Sequence, residues 1–120
     1  MKCPKLPGFS TLESFFHLKW CSIPGAPTMV KEYRFDSVRQ WRFDFAHVPS
    51  RVAVEMEGGI WLKEGGGHTR GTAYEKDLEK YNQAAFQGWV LIRLTQRLCT
   101  YDTLIALKWL IESRSSHPRP

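Results

Sequence analysis

Apolar side chains recur along this chain with two different periods, which predicts both helices and strands. Helical spacing predicts helices at 11–20, 73–86 and 101–112. The first has Ser10 or Thr11 as its N-cap. Residues 30–35 are predicted to form a first strand. Residues 89–94 are a nearly continuous apolar run of strand length, which is typical of a strand covered on both faces.

The stretch from Arg42 to Gly59 predicts a hairpin of two short strands. Successive side chains of a strand point to opposite faces. The acidic residues Asp44, Glu55 and Glu57 should therefore face away from the apolar side chains of their own strands, which are Phe43 and Phe45 in the first and Val52, Val54 and Met56 in the second.

A turn centred on Pro49-Ser50 would set Asp44 across from Glu55 and Arg42 across from Glu57. Directly opposed residues have Cβ atoms roughly 5 Å apart, and like charges at that distance are destabilising. A raised pKa on one carboxyl group would relieve the repulsion. A bound divalent cation would also relieve it, because Mg²⁺ prefers carboxylate oxygens.

The predicted order of elements is helix, three strands, helix, strand, helix. Three antiparallel strands followed by a helical crossover into a fourth imply a mixed sheet with helices packed against it. The 120 residues suffice for one α/β domain. We expect an irregular arm over 1–10, a mobile glycine-rich loop over 58–71 and a frayed tail over 113–120. The helix at 73–86 would pack through its apolar stripe, formed by Tyr74, Leu78, Tyr81 and Ala85.

The net charge of +5 and the pI of about 9.3 favour a polyanionic partner. The three cysteines are scattered without a C-x-x-C pair, which argues against a zinc knuckle and against a disulfide framework. A reducing cytoplasm is therefore expected. We expect neither a signal peptide nor a membrane span, since no apolar segment has the required length.

Several segments together resemble the PD-(D/E)XK nuclease superfamily. They are similar to a compact phage and bacterial branch related to Holliday-junction resolvases and very-short-patch-repair-type endonucleases. The resemblance covers roughly 29–96 and is carried by Arg42–Phe45, Val54–Gly59, His68–Gly71, Tyr74–Asp77, Lys80–Asn82 and Gly88-Trp89. It implies a restriction-endonuclease-like fold with a mixed sheet flanked by helices.

The resemblance also implies a metal centre. Asp44 and Glu55 would hold Mg²⁺, with Mn²⁺ able to substitute. The superfamily pattern has a lysine two residues beyond the second acid, where this chain has Glu57. Glu57 would then be a third metal ligand, or lie behind the ligands without contacting the metal, or form an ion pair with Arg42. Glu13 aligns with a glutamate often found on the first helix of the resolvase branch, which would make it a metal ligand. The alternative is that Glu13 is an ordinary solvated residue of that helix.

The missing lysine requires another cation near the metal. We favour Lys80, on the flank of the helix at 73–86, with Lys76 and Lys63 as alternatives. The resemblance makes His68 a candidate general acid or base and Arg70 a candidate phosphate ligand. Lys63, Arg70, Lys76 and Arg42 would bind DNA. The ordinary interpretation of these basic side chains, and of Arg93, is a solvated basic surface.

These observations leave two classes of function. The first is a metal-dependent DNA endonuclease. Within it, a homodimeric resolvase of Holliday junctions or other branched DNA competes with a monomeric nicking or mismatch-repair-type enzyme that acts on nicked duplex. The second class is a non-catalytic DNA-binding module on a degenerate nuclease fold, which the missing lysine favours.

Overall fold

The computed structural model describes residues 5–58 and 67–115, with the side chains of 67–70 outside that description. These residues form one α/β domain, as predicted. Its elements are α1 (Thr11–Cys21), β1 (Val30–Arg34), β2 (Arg42–His47), β3 (Val52–Met56), α2 (Gly67–Phe86), β4 (Val90–Leu94) and α3 (Tyr101–Ser115). No helix in the described part of the chain is long and apolar enough to cross a membrane.

The four strands form one mixed sheet in the order β1-β2-β3-β4. The first three pair antiparallel, and β4 pairs parallel with β3 after the α2 crossover. Phe45 pairs with Val54 and His47 with Val52, so the turn is centred on Pro49-Ser50 as predicted. All five residues of β3 are buried, because this strand has a neighbour on each side and helices on both faces.

Helices cover the two faces of the sheet unequally. One face packs against α1 and α3, in a core that includes Phe16, Trp20, Phe45, Val52, Val54, Leu104 and Ile111. The other face packs against α2 in a smaller core that includes Phe35, Phe43, Ala46, Ala53, Ala84 and Trp89. Ala53 belongs to this smaller core, so the alternation along β3 puts Glu55 on the α2 side.

The β1–β2 hairpin bends at Glu32 and Asp44. Pairing runs on both sides of this point with an unchanged register, while Glu32 adopts a positive φ of 51°. Phe45 packs on the α1 and α3 side, whereas Phe43 packs on the α2 side. The prediction that Phe43 and Phe45 share a face is therefore wrong, because the alternation of side chains is interrupted at Asp44.

The far half of this hairpin folds over the α2 face of the sheet. In an unbent sheet, the end of β1 would lie far from the start of β4. Here the rings of Phe43 and Tyr33 lie 4.9 and 5.6 Å from that of Trp89. Gln87, at the end of α2, donates from Nε2 to Asp36 Oδ1 at 3.2 Å. The bend therefore brings the hairpin tip to the carboxyl end of α2.

Helix α2 begins earlier than predicted and packs through a different face. It starts at Gly67, so the predicted loop is wrong for 67–71, and 59–66 lie outside the described residues. Tyr74 and Leu78 are exposed, and the buried contact is made by Ala84. The stripe of largest side chains therefore does not mark the inner face, because the bent hairpin and Trp89 have already filled the smaller core. Gly88, with φ of 86°, ends the helix in the left-handed conformation predicted for its C-cap.

The remaining elements need smaller corrections. Strand β4 has apolar contacts on both faces, yet its residues are mostly half-exposed because it is the edge of the sheet. Helix α3 extends through Ser115, so residues 113–115 of the predicted tail are helical, and 116–120 lie outside the description. Residues 5–10 of the predicted arm form no helix or strand, whereas 1–4 are not described.

Candidate active site

The bend in β2 aims the carboxylate of Asp44 at the backbone of β3. The Met56 amide donates to Asp44 Oδ2 at 2.8 Å. Burial raises the pKa of Asp44 against the effect of that hydrogen bond, and the negative charge of Glu13 raises it further. Asp44 therefore lacks enough positive charge around it, although its carboxylate is fixed in position.

Glu55 of the sheet forms an ion pair with Lys80 of helix α2. Lys80 Nζ, on α2, lies 3.2 Å from Glu55 Oε2 and 3.3 Å from Oε1. Both side chains are largely buried. Burial raises the pKa of Glu55, the Lys80 charge opposes this, and the Asp44 charge adds to it. The geometry thus places Lys80 at the acidic pair, and on the inner side of α2 rather than on its flank.

Glu57 is occupied by Arg93 on the neighbouring strand. Arg93 donates to the Glu57 carboxylate through Nε at 3.1 Å and through Nη2 at 3.2 Å. The Arg93 guanidinium stacks 4.3 Å from the centroid of the Tyr81 ring. The predicted pairing of Glu57 with Arg42 is wrong, because the hairpin bend carries Arg42 to Glu32, 3.7 Å away. Glu57 is therefore held by Arg93 through both carboxylate oxygens, and its predicted metal role remains a prediction.

Tyr81 lies between the two ion pairs. Its ring is 5.9 Å from Lys80 Nζ, in addition to its contact with Arg93. Burial and the charges of Glu57 and Glu55 raise the pKa of the Tyr81 phenol. The phenol therefore stays protonated at neutral pH, and its ring orients both cations without adding charge.

Glu13 caps its own helix. Its Oε1 accepts from the Ser10 amide at 2.8 Å, and Ser10 Oγ accepts from the Glu13 amide at 3.1 Å. This reciprocal capping box explains the burial of Glu13 without a metal. Its charge nevertheless acts on Asp44. Glu13 therefore contributes to the field of the site while its carboxylate is used by the helix terminus.

The substitution Glu13→Gln separates the cap from a metal-binding role. Glutamine also completes a capping box, so the free energy of unfolding should change by less than about 0.5 kcal/mol. If the protein binds Mg²⁺ at Asp44 and Glu55, its Mg²⁺ affinity, measured by calorimetry, should fall by less than about tenfold, because only a neighbouring charge is lost. Loss of detectable Mg²⁺ binding would make Glu13 a ligand after all. As a control for the cap itself, Ser10→Ala should cost about 1 kcal/mol.

The other predicted site residues are not brought into this cluster by the described contacts. Arg42 and Lys76 are exposed, and Lys76 lies on the outer side of α2. His68 and Arg70 belong to the first turns of α2, but their side chains lie outside the described residues, as does Lys63 altogether. Their predicted roles remain predictions.

The charge balance of the cluster is acidic. Asp44, Glu55 and Glu57 supply three carboxylates against the two cations Lys80 and Arg93. Within 5–58 and 71–115, no three His, Cys, Asp or Glu side chains converge as a ready metal-binding group. Mg²⁺, however, keeps several waters and is commonly held by one or two carboxylates. The charge of Asp44 raises the pKa of Glu55, so these two carboxylates are the candidates for a site of that kind.

A serine–histidine contact elsewhere does not form a nucleophilic site. At the β2–β3 turn, His47 Nδ1 lies 2.8 Å from Ser50 Oγ, and that hydroxyl donates to the His47 carbonyl oxygen. Ser50 is fully buried, and burial lowers the pKa of His47. The pair fixes the turn, because its hydroxyl is inaccessible to a substrate.

Sequence reasoning missed Arg93 and Tyr81 as members of the cluster. The sequence pattern predicts that Arg93 belongs to a solvated basic surface and that Tyr81 is a core residue. The parallel register puts Arg93 directly beside Glu55, but a crossover of more than thirty residues leaves no local signal for that register.

Comparisons with protein-family models, with curated proteins and with solved structures found no match.

Proposed function

We propose that this protein is a Mg²⁺-dependent DNA endonuclease that hydrolyses phosphodiester bonds in branched or nicked duplex. The observation that carries the proposal is the approach of Lys80 to Glu55 from α2, beside a fixed Asp44. The expected lysine is absent from β3, and the cation that replaces it comes from the adjacent helix. The strand order β1-β2-β3-β4 with a parallel final pair supports a restriction-endonuclease-like assignment.

The two carboxylates are suited to a divalent cation. Asp44 uses Oδ2 for the Met56 amide, and a carboxylate has further lone pairs for a metal. Both carboxyl groups have raised pKa values because burial is only partly compensated by positive charge. A cation between them would supply that charge. Mg²⁺ bound there would polarise the phosphate and lower the pKa of a bound water, with Mn²⁺ able to substitute.

The chain's own residues then have distinct tasks. Hydrolysis forms a bond from water oxygen to phosphorus and breaks the bond from phosphorus to a sugar oxygen. Lys80 contacts Glu55 and its charge also lowers the pKa of Asp44, so it can stabilise the negative charge that develops on the phosphate. Arg93 holds the position beside Glu55 and keeps Glu57 neutralised. The attacking water would release its proton to solvent, and the leaving sugar oxygen would take one from His68, the candidate general acid, or from solvent.

A polyanion such as DNA suits the net charge of the protein. The chain has 17 lysines and arginines against 12 acidic residues. The acidic cluster lies in a basic protein, which would attract a polyanion and still bind a cation at one point. A DNA substrate is also compatible with the cytoplasmic location expected from the cysteines.

The decisive experiment offers labelled four-way junction, nicked duplex and intact duplex to the protein with Mg²⁺, Mn²⁺ or EDTA. We expect cleavage with either metal, none in EDTA, and preference for the interrupted substrates. Mg²⁺ should also raise the melting temperature, because a ligand that binds only the folded state stabilises it. Cleavage in EDTA would refute the metal site. Solution mass then separates a homodimeric resolvase from a monomeric nicking enzyme.

A second candidate is a DNA-binding module without catalysis on the same fold. Glu57 favours it, because an acid occupies the position where the superfamily pattern has a lysine, and Arg93 neutralises that acid. In this case all three substrates would bind and none would be cut. The same experiment decides between the two, since binding and cleavage are recorded separately.

A further inference from the structure

The tip of the β1–β2 hairpin is exposed and carries an apolar residue at its end. Trp41 and Phe35 form its last backbone contact, a 3.3 Å hydrogen bond from the Phe35 amide, so the tip is the five-residue loop 36–40. Val38 is 81% exposed, the same fraction as Phe86, and no large apolar side chain in the described part of the chain exceeds it. An isolated exposed valine needs no explanation, but its setting is unusual.

The loop that presents Val38 is held rigidly. Asp36 Oδ2 accepts from the amides of Val38 at 3.0 Å and Arg39 at 2.7 Å. Asp36 Oδ1 accepts from Gln87, so the loop is anchored to α2. Arg34 Nε donates to the Arg39 carbonyl at 3.1 Å across the loop. Val38 also has a branched and therefore stiff side chain, so little conformational entropy remains to be lost on binding.

Arginines surround the tip. Arg34, Arg39 and Arg42 are exposed, and the Arg39 guanidinium stacks 4.5 Å from the Trp41 ring. Arg42 lies 3.7 Å from Glu32, and the acid of the loop itself, Asp36, accepts hydrogen bonds from the loop amides. Behind the tip, the rings of Phe35 and Phe43 stack at 4.1 Å. The result is a rigid, cationic projection with one apolar point.

The tip is near the proposed cleavage site. Gln87, which holds Asp36, is seven residues after Lys80 on the same helical course. At about 1.5 Å per residue, this separates the two by roughly 10 Å along the axis. One turn of B-DNA spans about 34 Å. A duplex that follows α2 with a phosphate at Lys80 would therefore reach Gln87, the anchor of the tip, within a fraction of a turn.

We propose that this hairpin tip is a wedge for duplex DNA. The arginines contact phosphates on either side, and Val38 enters the minor groove at a base step that can open. Apolar wedges in the minor groove unstack such steps, at a cost of a few kcal/mol. The cost is smallest where stacking is already interrupted. The wedge therefore selects nicked or branched duplex. It rests on the proposed function, which makes DNA the substrate.

The test measures DNA affinity in EDTA, so that cleavage plays no part. Fluorescence anisotropy compares nicked with intact duplex, and 2-aminopurine beside the nick reports unstacking. We expect Val38→Ser to reduce the preference for nicked duplex by about five- to tenfold and to abolish the 2-aminopurine signal. Arg39→Ala should weaken binding to both duplexes equally and reduce the salt slope by about 0.9.

Trp109→Ser is the matched control, because Trp109 is a large exposed apolar residue on α3, which packs against the other face of the sheet. It should change neither the preference nor the slope. Wild-type binding that both hairpin variants retain in full would overturn the wedge and leave the proposed function standing. Absence of DNA binding by the wild-type protein would overturn both.

Discussion

Asp44→Asn is expected to abolish cleavage and, in the metal-free protein at neutral pH, to raise the melting temperature. The asparagine amide oxygen can still accept the Met56 hydrogen bond, so the bend in β2 is retained. The negative charge needed to bind Mg²⁺ is lost. Since metal catalysis contributes several kcal/mol, the rate should fall by at least about 100-fold.

The gain in stability follows from the pKa of Asp44. Burial raises this pKa in the folded state above its ordinary value of 3.8. The folded state therefore binds the proton more tightly than the unfolded state, and the free energy of unfolding decreases as pH rises through that interval. Above the folded-state pKa, the Asp44 carboxylate is ionised, and the full cost of burying its charge lowers the free energy of unfolding. The neutral asparagine carries no such penalty, so the variant should be the more stable at pH 7 and should lose its advantage below about pH 4.

Thermal unfolding in EDTA across pH 3–8, together with cleavage in Mg²⁺, tests both halves of this prediction. Mg²⁺ should stabilise the wild-type protein and not the variant. Retained cleavage by Asp44→Asn would remove Asp44 from the site. A variant that is less stable at pH 7 would show instead that the carboxylate is needed to hold the bend.

Lys80→Met should lower both activity and stability. Removal of a donor aimed at a developing negative charge typically costs a factor of about 100 to 1,000 in rate. The same change leaves Glu55 buried without its cation, which should lower the free energy of unfolding by about 3 kcal/mol. Mg²⁺ should restore part of the stability, because a cation returns to Glu55, but it should not restore the rate.

Two comparisons make this result specific. The double variant Lys80→Met with Glu55→Gln should recover much of the stability while remaining inactive, since the unpaired charge is gone. Lys108→Met breaks a lysine–carboxylate pair with the half-exposed Glu112 on α3 and should cost less than about 0.5 kcal/mol. Unchanged cleavage by Lys80→Met would return the role of the missing lysine to Lys63 or Lys76.

Local sequence patterns are sufficient to predict part of the site. The Pro49-Ser50 turn sets the β2–β3 register, because strand period and turn position are both local. Lys80 follows from the resemblance, which implies a cation near the two acids and a helix packed against the sheet. Helical spacing adds only that Lys76 faces further away. The α2 stripe is mispredicted because large side chains at Tyr74 and Leu78 do not by themselves imply burial, and neighbours from distant segments decide which face packs.

The bend at Glu32 and the Arg93–Glu57 pair have no such local signal. A glutamate with positive φ violates the usual preference for glycine, so no propensity rule would place a bend there. The partner of Glu57 depends on a parallel register set after a long crossover. Glu13 is the opposite case, because its contact is local in sequence. Ser10 followed three residues later by Glu13 matches the capping-box pattern, and the Glu13 carboxylate accepts a hydrogen bond within its own helix terminus.

The α2 crossover between β3 and β4 also predicts the order in which the contacts of the site form during folding. Asp44 and Glu55 are 11 residues apart and meet when the β2–β3 hairpin closes, which is a local and fast event. Lys80 and Arg93 arrive only when α2 and the parallel pair of β3 with β4 have formed, at much greater sequence separation. During that interval the two carboxylates face each other without their cations. We therefore expect the repulsion between Asp44 and Glu55 to slow the closing of the β2–β3 hairpin, whether or not the finished site binds a metal.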